Sequence, residues 1–169
     1  VSGTGGVGGL VGSNGNSSIP GSPNIAACCS MGSVNGSTRV GGLVGVVEKG
    51  RITACYATNS VKGTGDDIGG LVGLLYANGS INTCYARGST NGSDHIGGLV
   101  GQNQGTIDSC YSVGTVSGTG YYVGGLLGYN TTIVTSCFWD KETSGQTTSH
   151  GGIGKSTVQM KILSTFTDL

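Results

Sequence analysis

The pentapeptide Gly41-Gly-Leu-Val-Gly45 decides the fold, because the same string recurs along the chain at nearly even spacing. The other copies are Gly8–Gly12, Gly69–Gly73, Gly97–Gly101 and Gly124–Gly128, the last with Leu127 in place of valine. Successive copies begin 33, 28, 28 and 27 residues apart. A fixed period of this length is the sequence signature of a chain built from stacked units. The sequence therefore predicts a repeat architecture.

Two further strings keep the same period. Ile-x-x-Cys begins at Ile25, Ile52, Ile81 and Ile107, and Val134 opens a fifth copy. A weaker string lies at Gly32–Gly36, Asn59–Gly63, Gly88–Gly92 and Gly114–Gly118. Short apolar runs bounded by Gly, Asn and Ser indicate strands. Three such runs per repeat predict an all-β parallel β-solenoid of about five coils, each with three short strands, spaced by roughly 4.8 Å.

Equivalent residues of stacked coils should form columns inside the solenoid. The leucine of each pentapeptide predicts one column, formed by Leu10, Leu43, Leu71, Leu99 and Leu126. The residue that opens each copy predicts a second column, formed by Val7, Val40, Ile68, Ile96 and Val123. No coil can bury its apolar face alone, so the stack supplies the core.

The composition excludes several classes of protein. Glycine provides 36 of 169 residues, charged residues make up 9%, and the formal net charge is zero. A nucleic-acid binder needs a basic stripe, and none can be assembled here. No stretch is apolar enough over about 18 residues to insert into a membrane. Disorder is also disfavoured, because hydrophobic residues make up 36% of the chain.

The pentapeptide copies, together with the Ile-x-x-Cys-Tyr string that follows them, resemble the GLUG motif repeats of bacterial surface proteins. The end of the chain, from Cys137 through Asp140 to Met160, is similar to the way such arrays finish. The resemblance implies a large secreted or wall-attached protein, of the adhesin-like kind or associated with immunoglobulin A peptidases. It implies no reaction and no catalytic residues. Because Val1–Thr4 repeats Val116–Thr119, we expect the chain to be a fragment that starts within a repeat.

The cysteines leave three alternatives open. Cys28, Cys55, Cys84, Cys110 and Cys137 share one repeat position, and Cys29 adjoins the first. An even number in a secreted chain can indicate disulfides. Stacked equivalent cysteines can equally form an interior column of free thiols, because cysteine behaves as a small apolar residue. A metal site is disfavoured, since a linear column does not converge on a point.

An aromatic residue follows most of these cysteines, in the order Tyr56, Tyr85, Tyr111 and Phe138. Stacked rings along a solenoid serve either as packing or as a carbohydrate-binding strip. Tyr121, Tyr122 and Trp139 extend the candidate strip, because all three have contexts that would leave them partly exposed.

Signals for catalysis or metal binding are weak. Asp94-His95 is an isolated pair typical of a solvated turn, and Asp66, Asp67 and Asp140 do not recur as a calcium site would require. We therefore expect no cofactor and no metal. Residues 1–150 are assigned to the solenoid and residues 151–169 to a C-terminal cap. Within the cap, Val158, Ile162 and Phe166 are four residues apart and predict a short helix laid across the last coil, with Leu163 beside them and Ser156 or Thr157 at its start. The alternative for this segment is a linker to a following domain.

The function predicted from the sequence is that of a non-catalytic stalk or adhesion module, extracellular or on the bacterial cell surface. Its expected partners are the rest of a larger surface protein and a host glycan or protein. The alternative is a carbohydrate-active β-helix enzyme, a lyase or glycoside hydrolase. Such an enzyme needs clustered carboxylates, whereas the acidic residues here fall at different places in the repeat.

Overall fold

The computed structural model describes residues 1–15, 18 and 20–167. It is the predicted parallel β-solenoid, in which the strands of neighbouring coils pair in parallel at equivalent repeat positions. Val40, Ile68, Ile96 and Val123 are direct partners in adjacent coils, for example.

Four sheets run along the solenoid, and each takes strands from successive coils. Sheet I consists of Gly5–Gly8, Thr38–Gly41, Ile68–Gly69, Ile96–Gly97 and Val123–Gly124. Sheet II consists of Val11–Asn14, Asn24–Ala26, Val44–Thr53, Val72–Asn82, Val100–Asn103, Thr106–Asp108, Leu127–Asn130 and Val134–Thr135. Sheet III consists of Cys29–Ser30, Tyr56–Ala57, Tyr85–Ala86, Tyr111–Ser112, Phe138–Asp140 and Ile153–Lys155. Sheet IV consists of Ser33–Gly36, Ser60–Gly63, Thr90–Gly92 and Val116–Gly118.

The expectation of three strands per coil is wrong, because each complete coil passes through four sheets. The pentapeptide, read as one strand, bends after its first glycine and so contributes to both sheet I and sheet II. The Ile-x-x-Cys-Tyr run bends at the residue before cysteine, where Ala54, Thr83 and Ser109 have φ of 52°, 54° and 54°. A left-handed residue at this corner turns the chain from sheet II into sheet III. Sheet I has five strands and sheet IV has four, so the fifth coil contributes no strand to sheet IV and ends in sheet III.

The core consists of two clusters of buried side chains. Leu43, Leu71, Leu99 and Leu126 are fully buried in the larger cluster. Val40, Ile68 and Ile96 are fully buried in the smaller one, against which half-buried Val123 packs. Leu10 does not belong to the interior and is 50% exposed. It lies in the first coil of the described residues.

The last coil is closed by different residues from those predicted. Trp139 is 6% exposed and occupies the inward position that smaller residues fill in the earlier coils. The Ser149 hydroxyl accepts hydrogen bonds from the backbone N–H groups of Leu126 and Leu127, at 3.2 and 2.9 Å. Ile153–Lys155 then pairs with Phe138–Asp140 and extends sheet III. The free edge of the coil is thus covered largely before residue 156.

The single capping helix predicted after residue 155 does not form. The structure has an α-helix at Lys141–Ser144, a 3₁₀ helix at Gln159–Lys161 and an α-helix at Ser164–Thr167. Val158, Ile162 and Leu163 are 69%, 48% and 77% exposed, so they are not gathered on a buried face. Ser156 does begin a turn, because it and Gln159 exchange side-chain-to-backbone hydrogen bonds of 2.9 and 3.2 Å, which is a capping box.

Among the described residues, none of the helices has the length and apolar character needed to cross a bilayer.

The interior leucines and Leu10 provide a matched test of this core. Leu71→Ala should lower the free energy of unfolding by about 2–5 kcal/mol, because it leaves a cavity in a column with no exposed atoms. Leu10→Ala removes the same atoms from a half-exposed site and should cost less than half as much. Urea unfolding of the two variants measures both values, and equal losses would contradict the burial described here.

Candidate functional site

The repeated cysteines form a hydrogen-bonded column inside the solenoid. Cys55, Cys84, Cys110 and Cys137 are each 1% exposed. The Cys84 Sγ atom accepts a hydrogen bond from the backbone N–H of Cys55, at 3.3 Å, and donates to the carbonyl of Asn82, at 3.2 Å. The other three pairs of neighbouring coils repeat the N–H to Sγ bond at 3.3–3.4 Å. The thiol therefore satisfies a backbone amide at the corner of each coil.

All six cysteines are free thiols in the structure. Cys28 is half-buried at the uncovered end of the column, and the neighbouring Cys29 points outward and is exposed. Burial raises the pKa of the Cys55 thiol. Hydrogen bonding to Cys110 lowers the pKa of the Cys84 and Cys137 thiols, so it is their burial, at 1% exposure, that keeps reagents from them.

The three tyrosines of the candidate strip form a ladder on the outside of sheet III. The ring centroids of Tyr56 and Tyr85 are 5.0 Å apart with planes 2° from parallel, and Tyr85 and Tyr111 repeat this at 5.0 Å and 6°. Each ring thus covers the face of the next. Carbohydrate strips present ring faces to the ligand, whereas this ladder presents ring edges and hydroxyl groups. The geometry favours the packing alternative for these three residues.

The other proposed members of the strip are not on the ladder's open surface. Phe138 continues the tyrosine ladder but is only 2% exposed, because Phe166 and Lys155 lie over it. The Phe138 ring centroid is 5.6 Å from that of Phe166 and 5.4 Å from the Lys155 Nζ atom. Trp139 points into the core. Tyr121 is 97% exposed but lies between sheets IV and I, away from the ladder. The expectation that these residues form one surface is therefore wrong.

A second aromatic cluster, which the sequence reading missed, lies across sheets I and II. Tyr122 contacts His95, Tyr129 and His150 at centroid distances of 5.2, 5.0 and 5.2 Å. His95 also contacts Tyr129, at 5.4 Å. The repeat contains a signal for this cluster. The residue that precedes the opening Val or Ile of each copy lies at the same outer position in every coil. That position holds Gly6, Arg39, Asp67, His95 and Tyr122 in turn.

Asp67 and His95 form a hydrogen-bonded pair in this outer row. The Asp67 Oδ1 atom and the His95 Nδ1 atom are 3.0 Å apart. Burial raises the pKa of Asp67, while its hydrogen bond to His95 and the charge of Arg39 oppose that rise. His95 is not the solvated turn residue expected, since its ring packs in the aromatic cluster. The Asp94 carboxylate accepts backbone hydrogen bonds from His95 and Tyr122 and so fixes the corner.

The described residues contain no group of three or more His, Cys, Asp or Glu side chains able to hold a metal ion. Asp140, weighed as a calcium ligand, is engaged in another way. Its carboxylate accepts hydrogen bonds from the backbone of Glu142 and Thr143 and from the hydroxyl of Thr157. Asp140 therefore caps the helix Lys141–Ser144 and anchors the C-terminal segment.

The fold and its repeated contacts define a glycine-rich parallel β-solenoid whose recurring residues are used for stacking. The family model described as the GLUG motif matches residues 36–62 and 92–117. Two stretches of the chain are thus similar to the GLUG motif.

A curated relative is a "Putative Gly-rich membrane protein" of Evansella cellulosilytica, 35% identical over 107 residues. The match covers 62% of this chain, which spans about a tenth of the relative's length. No solved structure matches the chain.

The exposure of the thiols predicts their reactivity. Native protein should show one fast-reacting thiol, because Cys29 alone is exposed, and Cys29→Ser should remove that fast phase. Denatured protein without reductant should show six thiols in a colorimetric titration. A count of four or fewer after denaturation would mean that disulfides, not free thiols, link the coils.

Proposed function

We propose that this chain is a non-catalytic segment of a bacterial cell-surface protein, acting as a rigid stalk and adhesion module. The observation that carries the proposal is the use of the recurring residues. The leucines, thiols and tyrosines that mark every repeat contact their equivalents in the next coil, so the repeated chemistry builds the stack. A stack of this kind extends by adding coils and holds exposed side chains in fixed rows.

The proposed location is the cell surface, and the rest of a larger surface protein is the proposed partner. The relative from Evansella cellulosilytica is described as a membrane protein and is about ten times as long as the part matched here. The GLUG resemblance supports the same setting. The proposed target of adhesion is a host glycan or protein.

One observation favours the alternative of a carbohydrate-active enzyme. Asp67 and His95 are paired at 3.0 Å, and a carboxyl group with a raised pKa beside a histidine is a frequent feature of catalytic sites. Glycoside hydrolysis uses two carboxylates on opposite sides of the scissile bond. Asp94, the neighbouring carboxylate, accepts two backbone hydrogen bonds at the corner, which is a structural use.

A glycan array combined with a turnover assay tests the proposal. The purified chain is applied to an array of host and bacterial glycans, and separately incubated with pectin, mucin and plant polysaccharides while new reducing ends are measured. We expect retention on the array without product. Asp67→Asn is the matched variant, because asparagine keeps the size of the side chain and tolerates the left-handed backbone at this corner.

The enzyme alternative predicts product with the native chain and its loss in Asp67→Asn. That result would overturn the non-catalytic assignment. Absence of both retention and product would remove the adhesion role.

A further inference from the structure

A polar groove crosses the outer face of sheet II, where the second and third coils are out of register. Leu75 pairs with Val47 and Asn78 pairs with Lys49, so the third coil contains one extra residue in between. This β-bulge places Ala77 and Asn78 at the surface, where both are exposed. The bulge forms a ridge, and a depression lies on each side of it.

The two depressions share Asn78 as a lining residue. The first has a volume of about 580 Å³, and its lining includes Arg39, Tyr76, Gln104 and the floor residue Val46. The second has a volume of about 460 Å³, and its lining includes Arg51, Asn24 and Ser80. Val46 and Arg51 lie five residues apart on one strand, which at a rise of roughly 3.3 Å per residue separates them by about 16 Å. The groove therefore suits an elongated ligand.

Two arginines without an ion pair in the described part of the chain lie in the groove. Arg39 and Arg51 are exposed, and neither has an ion-pair partner within 4.0 Å among the described residues. Glu48, which also lines the first depression, and Lys49 each have an interaction within the chain. Asp67, the carboxylate that follows Arg39 in the outer row, is paired with His95.

Arg39 occupies a corner of the repeat whose backbone is left-handed in successive coils, with φ of 61° at the equivalent Asp67 and 51° at His95. Arg39 itself has φ of 54°, and the equivalent residue of the preceding coil is Gly6, with φ of 63°. Glycine adopts this conformation freely, whereas a residue with a Cβ atom does so at a cost. An arginine at a corner suited to glycine adds a cation to the groove against the local backbone preference.

We propose that this groove binds an acidic polysaccharide, with carboxylate or sulfate groups on Arg39 and Arg51. Guanidinium groups bind such anions with two parallel hydrogen bonds. The amide groups of Asn24, Asn78 and Gln104 can donate to and accept from sugar hydroxyls, and the Tyr76 ring offers an apolar contact. The inference deepens the proposed adhesion role and rests on it.

The repeat itself supplies matched variants for the test. Arg39→Gly restores the residue found at Gly6, and Arg51→Ser restores the residue that Ser80 provides in the next coil. Arg87→Val is the control, because it removes one positive charge from the opposite, tyrosine-bearing face and matches Val113 of the following coil. All three variants keep the backbone preferences of the solenoid, and urea unfolding verifies that they fold.

The experiment measures binding of polygalacturonate oligomers by calorimetry, with neutral dextran and single-stranded poly-dT as comparisons. We expect the native chain to bind polygalacturonate, more weakly as salt rises, and Arg39→Gly and Arg51→Ser each to lose about tenfold in affinity. Arg87→Val should change the affinity by less than about twofold, since an exposed charge on another face contributes little.

Three results would overturn the inference. The first is a failure of the native chain to bind polygalacturonate. The second is a loss of affinity in Arg87→Val as large as that in the groove variants. The third is equally strong binding of poly-dT, which would make the groove a general polyanion site. Each of these is distinguishable from failure of the adhesion role, because retention of the native chain on neutral glycans of the array would leave that role standing.

Discussion

The close approach of backbone to backbone at the Gly-Gly corners is the constraint on which the rest of the structure depends. A Cβ atom at Gly70 would overlap the carbonyl oxygen of Gly98 in the next coil and would lie 2.9 Å from the Cβ atom of Ala86. Gly42 stands in the same relation to Gly70. These contacts leave no room for a side chain between the coils at this corner. The leucine that follows each corner can therefore turn inward and stack on its equivalent.

The same spacing gives every repeat position a defined neighbour, and this explains how a chain with few large side chains is held together. Inside, the thiol of one coil receives the backbone N–H of the previous one, as between Cys84 and Cys55. Outside, Tyr85 lies between Tyr56 and Tyr111 with its ring faces covered. Residues that differ between coils, such as Arg39 and the extra residue before Asn78, are the ones that give the surface its individual chemistry.

Periodicity predicts stacking well, because equivalent residues of coils of equal length lie in register with one another. The parallel solenoid and the buried positions of Leu71 and Ile68 follow from it. What periodicity does not contain is where each coil bends, so the corners at Ala54 and Thr83 and the resulting fourth sheet were missed. It also does not describe the first and last coils, where Leu10 is half exposed and Trp139 takes an inward position that Ser112 holds in the coil before. The cluster of Tyr122, Tyr129 and His95 was missed because its members do not share a residue type, although they occupy equivalent or adjacent rows.

The most direct test of the account is the free energy of unfolding of Gly70→Ala compared with Gly5→Ala, measured in urea. A Cβ atom at Gly5 makes only an ordinary contact, 3.7 Å from the Thr38 hydroxyl, so this variant should unfold like the native chain. The added methyl group at Gly70 meets backbone rather than a flexible side chain, so the coils must separate to admit it. We expect Gly70→Ala to lose at least about 3 kcal/mol or to fail to fold. Equal stability of the two variants would contradict the claim that backbone contact at the glycine corners sets the stacking.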